Sequence, residues 1–451
     1  MTRPTPPPAA PGPADPPPPD ARPEPVDASL LASLGGLDRD GRLLFTTRVL
    51  RMFGYGFLAV VLVLYLAAIG IDPGPIGLIL TLTMLGDTAI SLWLTTRADR
   101  VGRRRVLIVG SLLMVAAGIV FASTNIFAVL VVAATIGVIS PTGNEVGPFL
   151  AIEQAALSQT IPDARRTPTF AWYNLAGYVA TAFGALTAGI VSQLLLGAGF
   201  VPADAYRAVV VGYAVIGLLM ALVFWRVDDA IEAPPAAADD GIRRRLGLGR
   251  SRGIIGRLSA LFALDAFGGG FIPQSLMAYW FHLQFGVEPA VLGLIFFGAN
   301  LLAAVSSLAA PKIAARIGLV RTMVFTHLPS NILLILVPLM PTLPLAVLVL
   351  FARFSLSQMD VPTRQSYVIS VVDPDERSAA AGVTGIARTT GAAISPALAA
   401  PLVASAGLAA VPFYLAGGLK ILYDVLLYRA FTTGRAPDER APDERARPAT
   451  S

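Results

Sequence analysis

Apolar runs long enough to cross a lipid bilayer dominate this chain. A helix of about 20 apolar residues spans the hydrocarbon core. Twelve such runs occur, six on each side of a polar stretch at 227–255. They lie at 46–70, 75–96, 106–123, 126–156, 168–197 and 205–226, then at 256–284, 289–312, 320–340, 343–370, 378–404 and 408–431. We therefore predict an all-α membrane protein with twelve transmembrane helices.

Composition excludes a soluble fold and several kinds of chemistry. Charged residues make up 14% of the 451 residues, compared with about 25% in soluble domains. The chain has no cysteine and two histidines, which excludes disulfides, thiolate metal sites and a histidine-rich metal centre. No nucleophile–base arrangement or phosphate-binding loop is recognisable. We expect no metal, no cofactor and no enzymatic activity.

Polar segments divide the chain into five parts. Residues 1–40 are rich in proline, and residues 433–451 contain two copies of the pentamer Ala-Pro-Asp-Glu-Arg. Both segments are predicted to be disordered tails. No apolar run follows the start, which argues against a signal peptide. The remaining predicted parts are a helical bundle at 41–226, a connector at 227–255 and a second bundle at 256–432.

Basic residues are concentrated in the loops on one side of the predicted helices, whereas the opposite loops contain Arg207 alone. Cytoplasmic loops carry the excess of arginine and lysine, so we expect both termini in the cytoplasm. The prediction is a multi-pass protein of the cell (plasma or inner) membrane, monomeric in the lipid bilayer. The net charge of +5 then reflects these loops and not a nucleic-acid partner.

The two halves resemble each other in sequence. Phe-Gly-Tyr-Gly-Phe at 53–57 matches Phe-Gly-Gly-Gly-Phe at 267–271, an offset of 214 residues. Gly-Ile-Asp-Pro at 70–73 matches Gly-Val-Glu-Pro at 286–289, an offset of 216. The alternative is chance similarity between apolar stretches. The collinear order and nearly constant offset instead favour two pseudo-symmetric six-helix bundles, an architecture typical of transporters.

A basic loop follows the second run and reads TTRADRVGRRR at 95–105. It resembles the signature loop of the major facilitator superfamily, G-x-L-a-D-R-x-G-R-R. It departs from that pattern at Thr95, where glycine is usual, and at Arg97, where leucine is usual. A degenerate copy at 314–321 lacks the acidic residue. The residues that carry the resemblance are Asp99, Arg100, Gly102, Arg103 and Arg104.

The resemblance implies the fold of that superfamily and alternating access between the two sides of the membrane. In the family, the loop carboxylate contacts the start of the eleventh helix. Here that helix begins at 373–376 with an N-cap pattern ending in Glu376. We therefore expect a conformational latch between Asp99 and Glu376, to which Arg100, Arg103 and Arg104 also contribute. The loop also needs Gly102 for a tight turn. The alternative is a basic loop that serves orientation alone.

The fourth run contains the most prominent carboxylates within the predicted membrane region. Glu145 lies between Gly143 and Pro148, where the helix is expected to be kinked or unwound. Ionisable residues inside a span are costly and are functional candidates. We predict proton coupling or substrate binding by Glu145, together with its neighbour Asn144 and with Glu153 elsewhere on the helix surface. The alternative is a structural carboxylate that caps free amides beside the proline.

The tenth run carries three charges at helical spacing. Asp360 and Arg364 are four residues apart and are expected to pair on one helix face. Arg353 is a further two turns away, so all three are predicted to line one polar stripe. This stripe fits anion recognition and a structural charge network equally well. His327 begins the ninth run and is interpreted as a polar helix-end residue.

Other charges occupy positions related by the repeat or by helical spacing. Arg51 in the first run and Asp265 in the seventh are equivalent by the repeat, so an ion pair between the halves is one hypothesis. Lys420 and Asp424 in the twelfth run are four apart and are expected to pair with each other. Asp87 in the second run is a candidate either for coupling or for the latch.

The leading functional hypothesis is proton-coupled efflux of a small organic molecule, with the proton as coupling ion. Many drug–proton antiporters of the superfamily carry G-x-x-x-G-P in the fifth helix, and the fifth run here has Gly184 without the proline. A second hypothesis is uptake or facilitated diffusion of a polar nutrient or organic anion, which the arginines of the tenth run favour. A third is a receptor-like membrane protein that transports nothing.

Overall fold

The computed structural model describes most of the chain in five stretches. They are 37–161, 163–228, 231–232, 251–373 and 376–431. Most of the predicted tails and of the predicted connector lie outside the described residues. The first predicted tail, 1–40, overlaps the described residues at 37–40, and there the chain is already helical from Arg39. Asp38 accounts for this early start, because its carboxylate accepts the N–H of Gly41 at 2.6 Å as an N-cap.

Each of the twelve predicted runs contains helix. The first half contains α1 (Arg39–Ala68), α2 (Pro73–Val101), α3 (Arg103–Ser123), α4a (Phe127–Ile136), α4b (Phe149–Thr160), α5 (Asp163–Gly197) and α6 (Pro202–Trp225). The second half contains α7a (Arg252–Gly270), α7b (Gln274–Phe285), α8 (Pro289–Ile317), α9 (Leu319–Leu336) with a 3₁₀ turn at Val337–Leu339, α10a (Leu343–Ser357), α10b (Asp360–Ser370), α11 (Arg377–Ala404) and α12 (Val411–Phe431).

Three of the twelve spans are broken, at 137–148, 271–273 and 358–359. Within the described stretches, ten spans are long and apolar enough to cross a bilayer by length and hydropathy. The other two are the fourth, which its break divides into short pieces, and α11, which is rich in alanine, glycine, serine and threonine. Broken helices are tolerated at membrane depth only where protein groups satisfy the freed backbone.

Matching turns support the internal repeat. Gly102 joins α2 to α3 with φ +107°, and Gly318 joins α8 to α9 with φ +85°. Glycine adopts these positive angles without steric cost. The predicted tight turn at Gly102 is therefore confirmed, and its counterpart lies 216 residues later.

Matching close contacts hold each bundle together. A Cβ on Gly56 of α1 would lie 2.1 Å from the carbonyl oxygen of Thr181 on α5. A Cβ on Gly270 of α7a would lie 2.2 Å from the carbonyl oxygen of Ala392 on α11. Small residues allow this approach of helix backbones. The two contacts lie at equivalent positions, so two pseudo-symmetric bundles are confirmed.

Two equivalent contacts also form the seam between the bundles. Gly77 of α2 packs against Pro396 of α11, and Gly293 of α8 packs against Gly189 of α5. All four residues are nearer to the α1–α2 turn than to the α2–α3 loop. We call the end with the α1–α2 turn the far side and the end with the α2–α3 loop the connector side. The described seam contacts of these helices thus lie toward the far side.

Candidate functional site

The break in the fourth span exposes backbone groups at the centre of the first bundle. Tyr55 of α1 donates a hydrogen bond to the carbonyl oxygen of Val146 (2.9 Å), and Tyr213 of α6 donates to that of Val138. Both tyrosines are fully buried. Because buried carbonyls need partners, these side chains stabilise the non-helical segment 137–148. The predicted unwinding around Glu145 is confirmed.

Asp87 of α2 supports the same break. Its carboxylate accepts the backbone N–H of Gly147 at 2.7 Å and the hydroxyl of Ser91 at 3.2 Å. The side chains in electrostatic range of Asp87 include Tyr55 and Tyr213. Among the described carboxylates that lie within the spans and away from their connector-side ends, Asp87 is the one that meets no arginine, lysine or histidine.

Arg51 is the centre of a charge cluster in the first bundle. Its side chain is 0% exposed. Two guanidinium nitrogens donate to the two oxygens of Glu153 at 2.7 and 2.6 Å, and the third donates to Glu145 at 2.8 Å. Bidentate contacts of this kind are among the strongest hydrogen bonds in proteins. They offset the cost of several kcal/mol for burying each ion.

Further groups complete this first cluster. Tyr173 of α5 donates to Glu153, and the hydroxyl of Thr47 donates to the same carboxylate at 3.0 Å. Arg48 contacts Glu145, and its guanidinium carbon lies 4.9 Å from the centre of the Tyr173 ring. The sequence interpretation missed Arg48, because nothing in its local pattern indicates that a broken helix brings a carboxylate to it.

The structure corrects two expectations about this cluster. Glu145 and Glu153 do not lie on separate parts of one helix surface; both reach Arg51, because the break changes the geometry between them. Arg51 also makes no ion pair with Asp265. Each lies instead in a cluster within its own bundle, at positions equivalent by the repeat and with opposite charge.

Asp265 of α7a is the centre of the second cluster. It accepts a hydrogen bond from Lys420 of α12 at 2.6 Å. Nitrogens of Arg364 and His327 lie 3.7 Å from its oxygens. Arg364 also pairs with Asp360 at 2.5 Å, so the predicted pair within α10b is confirmed.

His327 links α9 to α12. Its Nδ1 lies 2.9 Å from Asp424, and the amide of Asn331 donates to the same carboxylate at 2.9 Å. His327 is therefore a buried cluster residue, and its interpretation as a helix-end residue is wrong. The expected Lys420–Asp424 pair is also wrong, because the two side chains contact different neighbours.

Arg353 and Arg388 differ from the other interior arginines. Arg353 does not extend the Asp360–Arg364 pair, because the break at 358–359 interrupts the helix; its guanidinium instead lies over the Phe354 ring, 4.9 Å from the ring centre. Arg388 of α11 is in electrostatic range of both Arg364 and Asp360. Neither Arg353 nor Arg388 has an ion-pair partner among the described residues. Arg388 was missed in the sequence.

Comparison with known proteins identifies the family. A family model described as the Major Facilitator Superfamily matches residues 44–356 and 258–451. The chain belongs to the Major Facilitator Superfamily. An uncharacterized membrane protein of Saccharomyces cerevisiae, YJR124C, is 31% identical over 418 residues, which cover 86% of this chain and 93% of the yeast protein.

Solved structures agree with the superfamily fold. The nucleoside transporter NupG has a TM-score of 0.67 at 13% identity, covering 87% of this chain and 98% of its own. A D-xylose-proton symporter has a TM-score of 0.64 at 16% identity, covering 89% and 97%. At these identities the likeness shows the fold alone. Family and fold together make the protein a multi-pass membrane transporter, and not an enzyme.

The superfamily signature loop makes different contacts from those expected. Asp99 is 67% exposed and pairs with Arg103 at 2.9 Å. The start of α3, next to Asp99, is capped by a carboxylate from the connector. Glu232 accepts the backbone N–H of Arg103 (2.6 Å) and that of Arg104 (3.2 Å). Arg100 is exposed. An anion at a helix N-terminus is stabilised by free amides and the helix dipole.

Glu376, the other half of the expected latch, contacts the opposite end of the connector. Its carboxylate accepts the N–H of Ser251 at 3.0 Å, just before α7a. In this structure Asp99 therefore pairs within the loop and not with α11. A superfamily latch that forms in one conformation and breaks in another remains a prediction.

Proposed function

We propose that this protein is a proton-coupled transporter of a small organic solute, and that Asp87 is its proton site. The supporting observation is the surroundings of Asp87: its half-buried carboxylate accepts the N–H of Gly147 and meets no basic side chain. A proton can bind there without separating an ion pair. At the other interior carboxylates, protonation disrupts a contact with arginine, lysine or histidine.

The position of Asp87 gives the proton a mechanical effect. Charge-assisted hydrogen bonds are about twice as strong as neutral ones, so protonation of Asp87 weakens its hold on Gly147. Gly147 lies two residues after Glu145, in the same break. Glu145 in turn contacts Arg48 and Arg51. Proton binding at α2 thereby alters the segment that positions the first charge cluster.

Glu145 keeps its predicted role in coupling or substrate binding within this proposal. Its side chain is 17% exposed, whereas that of Glu153 is 0% exposed. Glu145 is thus the carboxylate of the first cluster that a solute can reach. Its neighbour Asn144 is exposed in the same break. We assign the solute-responsive role to Glu145 and the proton-binding role to Asp87.

Direction depends on whether proton and solute exchange or travel together. Exchange with entering protons gives export, which the weaker resemblance to drug antiporters favours. Co-transport with entering protons gives uptake. Arg388 has no carboxylate partner among the described residues, which favours an anionic solute for such uptake. Asp99 and the basic loop around it are proposed to latch one of the two conformations, with the connector side in the cytoplasm of a monomeric transporter.

Proteoliposomes test the proposal. Purified protein is reconstituted, a pH gradient of either sign is imposed, and movement of a panel of organic solutes is measured. With Asp87→Asn we expect loss of gradient-driven transport and retention of solute exchange at equal pH. Asp204→Asn, which removes an exposed far-side ion pair with Arg207, is the matched control and should transport normally. Gradient-driven transport at the native rate in Asp87→Asn would show that Asp87 is not the proton site.

A further inference from the structure

Arg388 is a cation inside the protein whose charge no described side chain neutralises. It lies 11 residues into α11, about 16 Å along the helix from its start. Its Nε atom is buried and has no hydrogen-bond partner among the described residues. An unpaired charge at membrane depth costs several kcal/mol and marks a functional position by default.

The neighbours of Arg388 come from three other helices. Arg364 and Asp360 of α10b, Asp265 of α7a and Tyr423 of α12 lie in electrostatic range. The carboxylates of this group are already engaged: Asp265 contacts Lys420, and Asp360 contacts Arg364. Arg388 therefore lies beside carboxylates that already have cationic partners, and it adds one more cation there.

A residue of the first bundle reaches the same region. Tyr178 of α5 lies in electrostatic range of Arg48 in its own bundle and of Asp360 and Arg364 in the other. Tyr178 is thus within electrostatic range of groups from both clusters. A solute bound between the bundles here meets guanidinium groups and an aromatic ring, which suits a flat or apolar molecule with an anionic group.

The charges of the two clusters, together with Asp87, Arg353 and Arg388, balance when no solute is bound; the buried Asp40, Arg103 and Glu376 lie at the connector side and are not counted. The basic side chains are Arg48, Arg51, Arg353, Arg364, Arg388 and Lys420, and the acidic ones are Asp87, Glu145, Glu153, Asp265, Asp360 and Asp424. Six charges of each sign sum to zero when His327 is neutral. Protonation of Asp87 leaves one positive charge in excess. A solute with a single negative charge restores the balance, whereas a doubly charged phosphate does not.

We propose that Arg388, with Arg364 beside it, binds the carboxylate of an organic monocarboxylate, and that this is the transported solute. The inference rests on the proposed transport function and names its substrate class. The carboxylate gives Arg388 a bidentate partner, which no described side chain provides. Because solute and proton together keep the interior neutral, the two bind together and favour co-transport.

Binding to the detergent-solubilised full-length protein tests this site without any gradient. The probes are acetate, benzoate and octanoate, each compared with its uncharged amide by calorimetry. We expect at least one carboxylate to bind at least tenfold more tightly than its amide. Arg388→Gln should abolish this preference, and Arg388→Lys should retain part of it. Arg207→Gln, an exposed far-side arginine, should bind as the native protein does. Equal binding of acid and amide, or native binding by Arg388→Gln, overturns the proposal.

Two more measurements separate this site from its alternatives. Without solute, Arg388→Gln should unfold at or above the native temperature, because it removes an unpaired charge; a clearly lower temperature would mean a structural role and would overturn the proposal. Asp87→Asn should bind the carboxylate at least as tightly as the native protein. If Asp87→Asn transports at the native gradient-driven rate while carboxylate binding still depends on Arg388, the proton site is rejected and the anion site is kept. If transport is proton-driven but solute binding does not depend on Arg388, the proton site is kept and the anion site is rejected.

Discussion

Removal of the carboxylate of Glu153 should be one of the most destabilising single changes in the first bundle. Glu153 is 0% exposed and accepts hydrogen bonds from Arg51, Tyr173 and Thr47. Glu153→Gln keeps the size of the side chain but leaves Arg51 with Glu145 as its one carboxylate. Removal of one partner of a buried pair costs about 3–5 kcal/mol.

A double-mutant cycle isolates the pair. Arg51→Met alone leaves Glu153 without a cation and should also cost about 3–5 kcal/mol. The double variant removes both charges, so it should cost about 2–3 kcal/mol less than the sum of the single variants. Asp204→Asn breaks an exposed pair and should cost less than about 1 kcal/mol.

Reversible unfolding in detergent, followed by loss of helical circular dichroism, measures these differences. All variants need the same detergent and protein concentration, because lipid or detergent binding shifts apparent stability. A Glu153→Gln variant within about 1 kcal/mol of the native protein, or single variants that simply add, would refute the assignment of the Arg51–Glu153 pair as a strong buried interaction.

Two further outcomes follow from close contacts. A Cβ on Gly184 would lie 2.1 Å from the backbone oxygen of Phe53, so Gly184→Ala should lower the unfolding free energy by about 1–3 kcal/mol and reduce transport. Gly418→Ala, with open space around it, should do neither. The hydroxyl of Thr81 lies 3.0 Å from the backbone nitrogen of Ala397, and the chain has no native cysteine. Cysteines at these two positions should therefore cross-link on oxidation and stop transport until a reductant restores it; unaltered transport in the cross-linked protein would show that this seam does not open.

The helices and their duplication could be predicted because they depend on local composition. Runs of apolar residues identified all twelve spans, and the glycine-containing matches at 53–57 and 267–271 revealed the repeat. Gly143 and Pro148 also indicated the break in the fourth span. Each of these signals lies within a few residues of the feature that it predicts.

Partners of buried charges could not be predicted in the same way. Spacing of four residues correctly paired Asp360 with Arg364 but wrongly paired Lys420 with Asp424. The difference is tertiary: Asp265 and His327, on other helices, supply closer partners in the second case. Arg388 lies inside the eleventh predicted run, so its charge was a signal that the sequence interpretation passed over. That it has no ion-pair partner is visible only when every neighbouring helix is in place.

The pairing of charges within each bundle has a consequence for how the protein moves. Every ion pair among the described interior side chains joins residues of the same half. The described seam contacts are uncharged: they include glycine contacts, the Phe183–Phe297 ring pair and hydrogen bonds to backbone atoms. The halves can thus slide past each other without parting opposite charges in a medium of low dielectric constant. Two separately synthesised polypeptides, one for each half, should for the same reason insert independently and assemble into a working pair.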